Sequence, residues 1–404
     1  MFVSGMLAAI LGYAFQVILG RLLTPQEYAS FTALLAMTII ASVPFGAVSM
    51  VISRQASGYY AISDKEGLSA YCHSSNWYLA RLGGGFAVFG VIASPYIRDY
   101  FHLESVVPVL ILLPSFFFYF LALTNGAILQ ALQRFNWISA NAVVGALSKM
   151  FLCVALVFFG FGLNGALLGM SLTAVVTWFV NYLPMRELVS KSLSGVRPAL
   201  QFSLKSTLPV VYANLAFAVM TQLDFILVNR YFSGHDAGIY VAAAVLGKAI
   251  MYLPGAIVQA LFPLVAENEA LQRSSAHLFF RALLLTLGLG SAGALLYFLF
   301  SNEIMELLYG QRYVGSANLL QYMGFAMLPM ALITVAEHFL IAKKRVLFAY
   351  LMMSVAPIQI GLIARYHNSL MDVIWIISGC GWGLVIVGFG ILGWQYVRSV
   401  VAQP

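Results

Sequence analysis

Apolar residues run through this chain in blocks of about 20, the length that carries an α-helix across a hydrocarbon core of ~30 Å. Twelve such blocks begin near Phe2, Tyr28, Trp77, Val106, Trp137, Leu163, Ser206, Ile239, Phe280, Asn318, Val346 and Met371. The third is the least distinct, because polar residues precede it. The predicted fold is therefore all-α and polytopic, with about twelve transmembrane helices. None of the connections is long enough for a soluble catalytic domain. Ser63-Asp64-Lys65-Glu66 has the Ser-to-Glu spacing of a capping box, which predicts a short interfacial helix. The basic stretch 186–205 carries Ser-Leu-Ser-Gly and Arg-Pro, so it reads as a cytoplasmic linker between six-helix lobes at 1–185 and 206–404.

Composition agrees with a membrane setting. Hydrophobic residues make up 62% of the chain and charged ones 9%, against about 25% charged in a soluble domain. Lys and Arg are unevenly shared between the connections. Fourteen, from Arg54 to Arg398, fall on one side, and only Arg21, Arg98, Arg230, Arg312 and Arg365 on the other. The richer side is the cytoplasmic one, which places both termini in the cytoplasm of a multi-pass inner or plasma membrane protein. The net charge of +7 is mostly this topology signal and implies no nucleic-acid partner. Cys72 is expected in a loop, and Cys153 and Cys380 in spans; their spacing makes neither a disulfide framework nor a zinc site. The first apolar block lacks a basic leader and a cleavage site, so it reads as a retained span.

Two cations fall outside that count. Lys149 and Lys248 lie near the middle of apolar runs, where inserting a lysine costs about 2.5–3.5 kcal/mol unless it meets a partner or a wet cavity. Ala244, Lys248, Tyr252, Gly255 and Gln259 share one helical face, a chemistry suited to a cavity wall. An ion pair with Asp224 is the alternative for Lys248. Lys149 shares a stripe with Ile138, Ala142, Gly145 and Cys153. Asp224 is expected either to pair with Lys248 or Arg230 or to serve an ion or proton gradient. Asn214 and Thr221 on one face could meet sugar hydroxyls. Gln16 lies among Gly5, Ala9, Gly12 and Gly20, a stripe read by default as close helix packing. Glu337 and His338 read as a solvated anchor near Lys343 and Lys344. No Ser/His/Asp, HExxH or phosphate-loop pattern is present, so no enzyme, cofactor or metal is expected.

The chain also repeats itself. Residues 20–33, with Arg21, Thr24, Glu27, Phe31 and Ala33, align with 229–242, with Arg230, Ser233, Asp236, Tyr240 and Ala242, at a constant offset of 209. Gly46-Ala47-Val48 matches Gly255-Ala256-Ile257 at the same offset. Six spans per repeat, an even number, would make the halves parallel.

The segments Gly20–Tyr28 and Gln222–Phe232, with Gly238-Ile239-Tyr240 and Leu261-Phe262-Pro263, resemble the polysaccharide and lipid-linked oligosaccharide flippases of the multidrug/oligosaccharidyl-lipid/polysaccharide (MOP) exporter superfamily. Ala29 departs from that pattern, where a Gly is usual. The resemblance implies a V-shaped, two-lobe transporter that moves an isoprenoid-pyrophosphate-linked glycan, of O-antigen type, across the membrane. Membrane lipid, a driving ion gradient and glycan polymerase machinery are the partners it suggests. On that reading Lys149 and Lys248, one per half, would form an anion site together. A multidrug cation antiporter, or a membrane glycan polymerase or acyltransferase, are the competing readings.

Overall fold

A computed structural model describes residues 2–186, 204–255, 257, 264–265, 267–268, 276–342 and 347–401. All regular structure among them is helical. The first unit, Met1–Leu204, contains α1 (Phe2–Leu22), α2 (Pro25–Ala61), α3 (Lys65–Tyr100), α4 (Val107–Ala131), α5 (Phe135–Leu156) and α6 (Gly162–Tyr182). The second, Lys205–Pro404, contains α7 (Leu204–Tyr231), α8 (Gly234–Gly247), α9 (Ala249–Tyr252), α10 (Ala276–Leu299), α11 (Ser301–Tyr309), α12 (Ala317–Ala342), α13 (Leu347–Arg365) and α14 (Leu370–Val401). The linker expected at 186–205 lies almost wholly outside the described residues.

Ten helical segments among the described residues are long and apolar enough to cross a bilayer, against the twelve expected. The difference has two local causes. The helices expected near Trp137 and Leu163 are both formed, as α5 and α6, and pack side by side; the turn at Val157–Phe161 joins them so tightly that they count as one segment, Phe135–Met185. Gly160 (φ 89°) and Gly162 (φ 50°) bend the chain there, in a backbone region that side chains disfavour. The block near Ile239 is instead broken at Lys248, between α8 and α9, leaving 14 residues before the break.

In the first unit α4 packs against α2, α3 and α6, while α5 packs on α1 and α6. In the second, α12 occupies the centre, against α8, α10 and α14. Its apolar core gathers Met220, Met251, Ile333, Phe339, Phe348 and Met352. Side chains bond across helices where hydrocarbon offers no water: Ser171 Oγ donates to the Ile111 carbonyl and Gln359 Nε2 to that of Met220.

The second helix of each unit, α2 and α8, starts with a similar cap. Thr24 Oγ1 accepts from Glu27 N at 3.2 Å and Glu27 Oε2 from Thr24 N at 3.0 Å. At the matching position 209 residues on, Ser233 Oγ accepts from Asp236 N at 3.1 Å. These bonds satisfy amide groups that a helix start leaves unpaired.

Several expectations are corrected. Ser63 caps nothing; Asp64 is the N-cap and accepts from Gly67 N at 2.8 Å. The element that follows is no short interfacial helix but α3, 36 residues long. Together α2 and α3 form a hairpin of about 55 Å, longer than a hydrocarbon core. Cys72 is buried within α3 rather than in a loop. A Cβ on Gly5 or Gly12 would meet open space, so no helix packs closely at those two positions of the α1 stripe.

Candidate functional site

The first unit encloses a cavity of about 700 Å³, lined from α1, α2, α4, α5 and α6. Lys149 is its one charged residue, and no carboxylate lines it. The sequence reading placed Ile138, Ala142 and Gly145 on the same stripe as Lys149; all three belong to the wall. Cys153, the stripe's last member, is buried and donates to the Ala166 carbonyl. The Lys149 ammonium lies 4.8 Å from the centre of the Phe15 ring, a cation–π contact. Among the described residues no acid stands within ion-pair distance of it.

The rest of the wall is uncharged and mostly apolar, with a set of polar side chains spread through it. Thr38, Ser42 and Ser49 come from α2, Ser115 and Gln130 from α4, Asn141 from α5, and Thr173, Thr177 and Asn181 from α6. Sequence reasoning missed these residues. Their signal was present: Thr173, Thr177 and Asn181 recur every four residues, a polar stripe on an otherwise apolar helix. Asn181 is 4% exposed; its Nδ2 donates to the Ala122 carbonyl while Oδ1 has no hydrogen-bond partner.

Lys248 has a different setting. It is 4% exposed, and its ammonium donates to Asp224 Oδ1 at 2.8 Å and to the Thr221 carbonyl at 2.6 Å. The Phe225 ring centre lies 3.4 Å away. Tyr240 donates its hydroxyl to Asp224 Oδ2 at 2.9 Å. The expected two-lysine site is therefore not formed, because the second lysine is spent on an acid inside its own unit. Both carboxylate oxygens of Asp224 are engaged as well, so a cation would reach it only by displacing Lys248.

The other expected residues are scattered. Tyr252 is exposed at the end of α9, and Asn214 is exposed on α7. Thr221 donates to its own helix at the Phe217 carbonyl. Gln16 is half-buried with an unpartnered Oε1 and does not line the cavity. Arg230 is half-buried on α7, and Gln259 lies outside the described residues. Glu337 is not a solvated anchor: it is 5% exposed within α12.

A bundle of long apolar helices with a cavity in its first unit that holds a single charged side chain defines a polytopic membrane protein. A family model described as "Polysaccharide biosynthesis protein" matches residues 1–269, and the chain belongs to that family. No curated protein matches the sequence. Among solved structures, the lipid II flippase MurJ in an inward closed conformation aligns at a TM-score of 0.75 and 15% identity, covering 96% of this chain and 86% of that one. An inward-facing multidrug resistance MATE family transporter of the MOP superfamily aligns at 0.73 and 16%, covering 98% and 96%. An outward-facing MATE transporter aligns at 0.60 and 17%, covering 100% and 95%. The fold is theirs.

Proposed function

We propose that this protein is a flippase that carries an isoprenoid-pyrophosphate-linked oligosaccharide across the membrane, presenting the cavity of its first unit alternately to the two sides. One observation carries the reading: a cavity at membrane depth whose single charge is an ammonium with no acid beside it. A phosphate supplies the missing partner, and it does so to a flexible point charge that also lets go. The hydroxyls and amides around Lys149 suit sugars, while the isoprenoid tail needs no polar wall and stays in the lipid. Family membership and the likeness to a lipid II flippase support the same substrate class.

A lipophilic cation, the cargo of a multidrug antiporter, would meet an ammonium and no carboxylate in this wall. That chemistry repels it. The test is transport of a fluorescent lipid-linked oligosaccharide in reconstituted vesicles. Lys149→Gln is expected to insert and fold normally yet lose most flipping, and cells carrying it are expected to accumulate the lipid-linked precursor by mass spectrometry. Wild-type flipping by the variant would end the assignment.

A further inference from the structure

The hydroxyls of the cavity wall have their protons committed. Thr38 donates to the Leu34 carbonyl at 2.9 Å, Ser42 to Ile39 at 2.7 Å, Thr173 to Gly169 at 2.8 Å and Thr177 to Ala174 at 3.0 Å. A carbonyl oxygen only accepts, so each of these hydroxyls must be the donor in its bond. What each retains for an occupant is a lone pair. Asn181 points the same way: its Nδ2 is held by the Ala122 carbonyl, which fixes the orientation of the amide and leaves Oδ1 an unpartnered acceptor. The Asn141 Oδ1 is unpartnered too. The donors left in the wall are few: the Lys149 ammonium and the amide groups of Asn141 and Gln130, the Tyr119 hydroxyl being bonded to Ser42. Acceptors are therefore in surplus around a single positive charge.

We infer that the cavity selects a head group whose only anionic part is its phosphate or pyrophosphate, next to a donor-rich neutral sugar, and rejects sugars that carry an acid of their own. This rests on the flippase reading above and narrows its substrate. Sugar hydroxyls and the N–H of an acetamido group give protons to the surplus lone pairs. A uronic acid brings a second anion, which finds Lys149 already taken by the phosphate and lone pairs elsewhere. An unpaired charge at such depth is costly. A cavity of about 700 Å³ is of the size that encloses a small-molecule ligand, so recognition covers the phosphate and the sugar nearest it.

The test is calorimetric binding of head-group probes to the purified full-length protein in detergent. N-acetylglucosamine 1-phosphate and glucose 1-phosphate are expected to bind roughly tenfold or more tightly than glucuronic acid 1-phosphate. Thr177→Val keeps the side-chain shape and removes one acceptor; it should weaken the neutral sugar phosphates while leaving inorganic phosphate unchanged. Lys149→Gln should weaken all of them. Glucuronic acid 1-phosphate binding as tightly as the neutral sugars, with Lys149 dependence retained, overturns the selectivity and leaves the flippase reading standing. Thr177→Val affecting inorganic phosphate as much as the sugars overturns it as well. Binding that ignores Lys149 for every probe removes the site itself, and the inference with it.

Discussion

Among single residues, Lys248 and Asp224 bear the largest energetic consequence. Burying either charge alone is expensive, and here the 2.8 Å contact, the Thr221 carbonyl and the Tyr240 hydroxyl together compensate it. Removing one partner strands the other, at a cost of about 3–5 kcal/mol. Asp224→Asn and Lys248→Met alone should each lower the thermal unfolding midpoint in detergent, and the double substitution should recover most of the loss. A double variant less stable than either single one would rule this pairing out. The pair was one of two alternatives open in the sequence, and the reason it stayed open is physical. Periodicity places Lys248 on a face of its own helix, but the face presented by α7 depends on how helices pack. Glu337 shows the same limit. Its closeness to Lys343 and Lys344 along the chain suggested water, whereas helix packing buries it.

Individual elements show where glycine and polar side chains set geometry. Glu27 serves two helices: it closes the cap at the start of α2, and its Oε1 accepts from Leu163 N at 3.2 Å, at the first turn of α6. A carboxylate there also meets the positive end of the α6 dipole. Gly162 lies against that carboxylate with φ 50°, so a Cβ would both strain the backbone and collide with Glu27. Gly160 has φ 89° but open space around it. Gly162→Ala is therefore expected to destabilise the first unit by about 1–3 kcal/mol, and Gly160→Ala by less, in chemical or thermal unfolding. Equal losses would assign the whole effect to φ and none to Glu27. The helices themselves were legible from apolar run length, α5 and α6 included, and the tight glycine turn that joins those two was not. Nothing in run length separates a kink from a loop. The cavity was half legible: the Lys149 stripe was found on α5, while the matching polar stripes on α2 and α6 were passed over because each hydroxyl, taken singly, reads as a bond to its own helix.

Across the whole molecule, the offset of 209 lets short stretches of the two halves be compared position by position. Adding 209 to Phe15 gives Asp224. At this one register the first unit sets an aromatic ring beside Lys149, and the second sets an acid beside Lys248. One half leaves its cation without an acid and the other pairs it, but the two lysines are not equivalent in the repeat: Ile358 stands 209 residues after Lys149 and Ile39 stands 209 residues before Lys248. Every residue that lines the acceptor-rich cavity lies between Ala8 and Asn181. An exchange of residues 1–204 with those of a relative that handles a different glycan should carry the donor's head-group preference with it, read by binding and flipping assays; a chimera that keeps the recipient's preference would place selectivity elsewhere. If the chimera behaves so, the cargo of such a protein is written in half of its gene. Recombination near codon 204 would retarget it in one step, as a cassette, without rewriting the half that follows.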